Sequence, residues 1–195
     1  MTSASDLDVP FTTRDRIIEA AASLTTRHGW AWVTMTKLAD EVGVSRQTVY
    51  NEIGNKPALA EAMILHELSR FLELVNTAFD DSPDDLLGAI RGASRAVLDF
   101  AQDNPLLHAV VSATHGADTE LLPLLTTHSQ SLLGVAKLVV TERVGPYRVA
   151  LEPARLEAAI DMVVRVVLSH VMQPSASPDE TSRDIAWIAE RVLRS

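Results

Sequence analysis

The chain has 195 residues, no cysteine, a hydrophobic content of 47%, and 17 Lys/Arg against 26 Asp/Glu for a formal net charge of −9. That length suits one domain, or a small domain joined to a medium one, and the apolar share supports a real core. Disulfide frames, thiol nucleophiles and cysteine metal sites are excluded. The opening MTSASDLDVPF lacks the blocks of a signal peptide, and the most apolar run, Met162 to Leu168, is short and broken by Arg165. A soluble, cytoplasmic protein with no membrane partner is therefore expected.

Apolar residues recur at helical spacing almost everywhere and period-two alternation is never sustained, so the expected fold class is all-α. In chain order the expected helices are 13–28, 34–41, 45–52, 56–79, 83–103, 105–113, 119–143, 153–172 and 178–194. Ser82-Pro83-Asp84-Asp85 and Ser177-Pro178-Asp179-Glu180 each read as an N-cap, a proline at the first helical position and acids facing the helix dipole. Stops are expected at His28-Gly29, Gly145-Pro146 and Gln173-Pro174. A domain boundary is expected near Lys56-Pro57, giving a three-helix head over 1–56 and a larger helical body over 57–195. Charge divides the same way. The head has six cations (Arg14, Arg16, Arg27, Lys37, Arg46, Lys56) against seven acids, a net of −1, so −8 of the total lies in the body. A DNA contact needs a local cluster of donors, and the head is not too acidic to carry one.

Residues 34–51, TMTKLADEVGVSRQTVYN, carry the densest pattern. Thr34 caps a helix whose Leu38, Ala39 and Val42 face inward, Gly43 takes the turn, Val44 plugs it and Ser45 caps the next helix. This is a helix-turn-helix pattern, whose second helix enters the major groove. With Val49 and Ile53 inward, Arg46, Gln47, Thr48, Tyr50 and Asn51 are left on or beside the exposed face. Arg46 is suited to guanine, and Gln47 or Asn51 to adenine. Ser45, Thr48, Tyr50 and Lys56 are natural phosphate ligands, joined by Thr34 and Thr36 at the preceding helix start.

From RIIEAAASLTTRHGW through KPALAEA, residues 14–62 resemble the N-terminal domain of the TetR family of one-component bacterial transcriptional regulators. Gly29, Thr34, Leu38-Ala39, Val42 to Ser45, Thr48 to Tyr50 and Lys56 fall in register. The resemblance implies a homodimer that binds double-stranded, near-palindromic operator DNA, usually represses, and is released by an effector bound in the body. Gln47 and Glu52-Ile53 depart from the family's common small residue and His-Phe.

In the body, wide apolar surfaces with few charges suggest a cavity for a small, elongated apolar effector, with a fatty acid or acyl derivative as the expected class. The expected lining is Val97, Leu98, Phe100, Leu107, His108, Val111, Leu125, His128, Leu132, Arg165, Val166 and His170. Ser94, His108, His128, Arg165 and His170 are among the groups available to a polar end. The histidines lack metal-ligand spacing, and neither a metal nor another cofactor is expected. The last two helices carry apolar stripes that need a partner, so Leu156, Ile160, Val163, Val164, Val167, Ile185, Ile188 and Val192 are the expected dimer face. No nucleophile–base–orienter set or phosphate loop supports an enzyme. The alternatives are a helical protein-interaction module and a regulator responding to aromatic or cationic drug-like compounds.

Overall fold

A computed structural model of the chain describes residues 12–113 and 129–194, apart from the side chains at 110–113 and 129–131. Among the described residues there are α-helices α1 (Thr13–His28), α2 (Met35–Val42), α3 (Arg46–Ile53), α4 (Lys56–Asp80), α5 (Leu86–Gln102), α6 (Pro105–Ala113), α7 (Ser129–Val144), α8 (Pro153–Met172) and α9 (Pro178–Leu193). A single 3-10 turn covers Trp30–Trp32, and no strand occurs among these residues. The expected helix over 119–143 falls partly outside the described residues.

One start differs from expectation. Asp85, not Ser82, caps α5: its Oδ1 accepts the Gly88 N–H at 2.9 Å, so the helix begins at Leu86. Ser82 is held in a turn instead, its carbonyl accepting from Asp85 N–H at 3.2 Å and from the Tyr147 hydroxyl at 2.7 Å. An aspartate caps as well as a serine, and the turn decides between them. Ser177 does cap α9, and Asn104 caps α6 by accepting the Leu107 N–H at 2.9 Å.

By contacts the chain divides into two compact units, Met1–Ile64 and Leu65–Ser195, with the division inside α4. In the first unit, Ile17, Leu24, Val33, Leu38, Val49 and Leu59 are at most 2% exposed and pack α1, α2, α3 and the start of α4 together. The core of the second unit is drawn from α4 (Val75, Phe79), α5 (Ala89, Ala93, Val97), α7 (Val144) and α8 (Ile160, Val164). There α9 packs along α5. Asp179 ties the two helices, reaching Arg91 at 3.3 Å and Arg95 at 3.2 Å while also pairing with Arg183 on its own helix.

Candidate nucleic-acid interface and effector cavity

The geometry around α3 begins with its caps. Gly43 adopts the left-handed conformation (φ 74°, ψ 38°), where a Cβ would be strained, and both its N–H and that of Val44 bond the Ala39 carbonyl. The chain then turns straight into Ser45, whose Oγ accepts the Thr48 N–H at 3.0 Å and lies 2.8 Å from the Thr48 hydroxyl. Thr34 does the same for α2, accepting the Lys37 N–H at 3.3 Å. Both hydroxyls keep a hydrogen to donate while they cap.

Two arginines of α1 hold the pair in place. Arg16 donates to the Val42 carbonyl at 2.8 Å, and Arg14 donates to the Glu52 carbonyl. Each places a cation on the last carbonyls of a helix, satisfying an acceptor and meeting the negative end of the dipole. The sequence gives no sign of this role beyond two basic residues at i, i+2 at the start of α1. Asn55, also unforeseen, caps α4 by accepting the Ala58 N–H at 2.9 Å.

With Val49 fully buried and Ile53 nearly so, Arg46, Gln47, Tyr50 and Asn51 stand exposed on α3 and Thr48 half-buried. Gln47 and Asn51 are not independent: the Gln47 amide donates to Asn51 Oδ1 at 2.9 Å. That leaves the carbonyl and one amide hydrogen on Gln47 and both amide hydrogens on Asn51, held in one orientation across one helical turn. Thr36 is exposed on α2. Lys56 starts α4 with Nζ 4.9 Å from the Trp30 ring centroid, and Lys37 Nζ sits 3.2 Å over the Trp32 ring. All nine expected DNA-contact residues therefore lie on α2, α3, their caps or the first residue of α4, within the first unit.

In the second unit α4, α5, α7 and α8 border a half-open cavity of about 140 Å³. Leu68, Phe71, Leu72 and Val75 line it from α4, Val97 and Ser94 from α5, and Val163, Val167 and Val171 from α8. The stripe 68, 71, 72, 75, 79 on α4 is legible as helical spacing, yet only the tertiary packing shows that it borders a gap. Ser94 is only 4% exposed. A neighbouring pocket of about 350 Å³ shares Val171 and brings together Leu98, Leu107, His108 and His170. There His108 Nε2 lies 2.7 Å from the Gln102 carbonyl.

Several expected lining residues are elsewhere. Phe100 stacks edge-on against Phe71 at 4.9 Å beneath the Arg70 guanidinium, and Leu132 is half-buried on α7 away from both cavities. Arg165 reaches Asp161 at 2.7 Å from an exposed position, and Val166 is 36% exposed, because both sit on the face of α8 turned from the cavity. Val111, Leu125 and His128 lie outside the described side chains.

Part of the expected dimer face is buried within the chain itself. Ile160, Val164 and Ile185 are buried in the protomer's own core, Leu156 packs against that core, and Val163 and Val167 line the cavity. The helix period explains it: the residues that seal α8 against α5 and α7 cannot also face outward. The large apolar side chains left exposed on α8 and α9 include Met162 (63%), Trp187 (57%), Ile188 (50%), Val192 (37%) and Val166, and Met162, Ile188 and Val192 line an open groove between the two helices.

Asp161 is held below the usual carboxylate range by its hydrogen bonds from Arg165 and then Lys137, and Asp179 by that from Arg183. Among the described residues no group of His, Asp and Glu could hold a metal, and no helix is long and apolar enough to cross a membrane.

Known proteins share this arrangement. The family described as "Bacterial regulatory proteins, tetR family" matches residues 17–63, and "Bacterial Tetracyclin repressor, C-terminal domain" matches residues 85–191. The chain is 25% identical over 173 residues to the HTH-type transcriptional regulator AlkX of Mycobacterium tuberculosis, covering 89% of this chain and 81% of that one. It is 32% identical over 100 residues to the nucleoid occlusion factor SlmA of Vibrio cholerae, spanning about half of each chain (51% and 50%). Among solved structures, the TetR family repressor AlkX of a Dietzia species, implicated in biodegradation of n-alkanes, superposes with a TM-score of 0.74. The identity there is 24%, over 94% of this chain and 96% of that one. With a head that matches one half of the family's pattern and a body that matches the other, the chain belongs to the TetR family of bacterial transcriptional regulators.

Proposed function

We propose that the chain is a cytoplasmic, ligand-responsive repressor that binds a near-palindromic operator as a homodimer. Residues 1–56 serve as the DNA-binding domain and 57–195 as the effector-binding and dimerising domain. The observation that carries the reading is α3, which turns Arg46, Gln47, Tyr50 and Asn51 outward from a buried Val49 and Ile53. Arg46 reads guanine, the Gln47–Asn51 pair meets a neighbouring base edge, and Thr34, Thr36, Ser45, Thr48, Tyr50 and Lys56 grip phosphates. A mobility-shift assay against the DNA upstream of the chain's own coding sequence tests this. A specific complex that resists random competitor DNA is expected, and equal competition by random DNA would sink it.

Two copies join through the outward face of α8 and α9, with Met162, Val166, Ile188 and Val192 at its centre. Apolar surface of that extent beside an open groove needs a partner, and a two-fold pairing of helices supplies one. Dimerisation sets the two heads to half-sites about one helical turn, or ~34–36 Å, apart. Ile188→Arg is expected to give folded monomers by light scattering that no longer shift the operator. A dimer that survives this change puts the interface elsewhere.

The cavity takes a long alkyl or acyl chain as effector. Its near-total lack of polar lining supports the class, and the n-alkane connection of the structurally similar Dietzia repressor is consistent with it. Release of DNA requires the ligand to favour a state that fits the operator poorly, with coupling of ~1–3 kcal/mol.

A further inference from the structure

Charge decides what the cavity can hold. From residue 96 to residue 136 the chain contains no lysine or arginine, a stretch that spans the end of α5, all of α6 and the start of α7. Cations on the cavity helices within the second unit are committed to acids. Lys137 and Arg165 both bond Asp161 (2.9 and 2.7 Å), Arg70 bonds Glu67 at 3.1 Å, Arg143 pairs with Asp80, and Arg91 and Arg95 share Asp179. Arg155 lines the open groove between α8 and α9, not the cavity.

Among the described residues the cavity has sixteen lining residues, none of them charged, and Ser94 supplies the one hydroxyl among them. That side chain is only 4% exposed and sits on the cavity wall. The neighbouring pocket adds hydrogen-bonding groups (Gln102, His108, His170, Ser177, Thr181) but, among the described residues, again no Lys, Arg, Asp or Glu. His108 Nε2 faces the Gln102 carbonyl, which only accepts, so in the neutral ring Nε2 carries the hydrogen and Nδ1 is an acceptor. An acceptor suits a ligand hydroxyl and not a carboxylate. An ionised head group held against either lining would lose part of its hydration without gaining a Lys or Arg counter-ion among the described residues, a cost that an uncharged hydroxyl largely avoids by hydrogen bonding.

We infer that this site, read as the effector site proposed above, selects an uncharged alkyl chain bearing a single hydroxyl, a primary alcohol, and rejects the carboxylate of equal length. This narrows the fatty-acid class that composition alone suggests, because the described lining offers an apolar surface to a chain and no counter-ion to an ionised head.

Calorimetric titration of the full chain with 1-decanol, decanoate and decyltrimethylammonium, each below its micelle concentration, tests the selectivity. The alcohol is expected to bind at least about tenfold tighter than either ion. Ser94→Ala is expected to weaken 1-decanol several-fold while leaving decanoate unchanged, and Val167→Trp, which fills the cavity, to abolish 1-decanol binding. Decanoate binding as tightly as the alcohol, or no binding by any of the three, overturns the inference. So does undiminished 1-decanol binding by a folded Val167→Trp protein. Operator binding by the same preparations is read in parallel. Specific DNA binding with the wrong ligand preference removes this inference alone, whereas absence of specific DNA binding removes the repressor reading.

Discussion

In the first unit the polar side chains proposed to meet DNA stand outside a filled core, whereas in the second the proposed effector site is a gap left inside one. Leu38, Val49 and Leu59 are sealed in the head with no exposed surface, and the cavity-lining Val167 of the body borders empty space. The head is built to hold one geometry, since base readout fails when a helix rocks. The body leaves that volume unfilled, room that the proposed effector would take. The contrast teaches where each function can be damaged: in the head through the core that aims α3, in the body through the volume of the hole.

The largest expected effect tests that contrast directly. Leu38→Ala empties a fully packed site and is expected to cost ~2–5 kcal/mol of stability, taking operator binding with it. Val167→Ala is expected to cost at most about 1.6 kcal/mol, the transfer term for two methyl groups, because the cavity is already there. Denaturant unfolding of the two variants measures both. Equal losses would mean that the gap closes in solution and that the body is packed like the head.

Next in size is the surface of α3. Arg46→Ala is expected to cost roughly 1–3 kcal/mol at one base pair per half-site. Lys56→Ala is expected to weaken all sequences alike and lower the salt slope by about one. Titrations against operator variants at several salt concentrations separate these outcomes. Uniform loss for Arg46→Ala would turn it into a phosphate ligand.

The same contrast explains what the sequence could reveal. Caps and turns are written in local residue choice, so Thr34, Gly43, Ser45 and Ser177 were legible, and with them the head and most helix limits. The exposed face of α3 followed from two buried positions four apart. The body resisted because its helices are apolar on more than one side, so period alone cannot say which face meets a neighbour, a cavity or a partner. Ile160, Val164 and Ile185 looked like interface and are core, and Val166 looked like cavity and is surface. Long-range hydrogen bonds were equally hidden: nothing local announces that Arg14 and Arg16 hold the ends of α3 and α2. Asp85 displaced Ser82 as a cap because a tyrosine 65 residues away holds the Ser82 carbonyl.

A smaller effect sharpens the account of the head. Because Gln47 donates to Asn51, the two amides fix each other's orientation and present their remaining donors and acceptors together. Operator affinities of Gln47→Ala, Asn51→Ala and the double variant are expected to be non-additive, with a coupling of at least ~0.5 kcal/mol. Additive losses would mean that each amide reads its own base.

The smallest effect concerns acid, and it is read in the body. In the head, Arg14 and Arg16 donate to backbone carbonyls, which do not titrate, and the Arg27–Glu41 pair is exposed on both sides. The clamp between α5 and α9 runs instead through Asp179, whose carboxyl is kept below the usual carboxylate range by the Arg183 hydrogen bond, with Arg91 and Arg95 adding to it. A carboxyl whose folded pKa is depressed binds its proton more weakly in the folded chain than in the unfolded one. Its contribution is therefore complete above the unfolded value of about 3.9 and disappears as pH falls through the lower, folded value. Unfolding midpoints followed from pH 5 down to pH 2 are expected to fall less steeply below about pH 4 in Asp179→Asn than in the parent chain, since the variant has already lost the titrating partner. Near neutral pH the variant is expected to be modestly less stable, with the deficit shrinking as acid protonates Asp179 in the parent. Parallel pH profiles for the two proteins would show that the three arginines gain nothing from the charge on Asp179, and that packing alone holds α9 to α5.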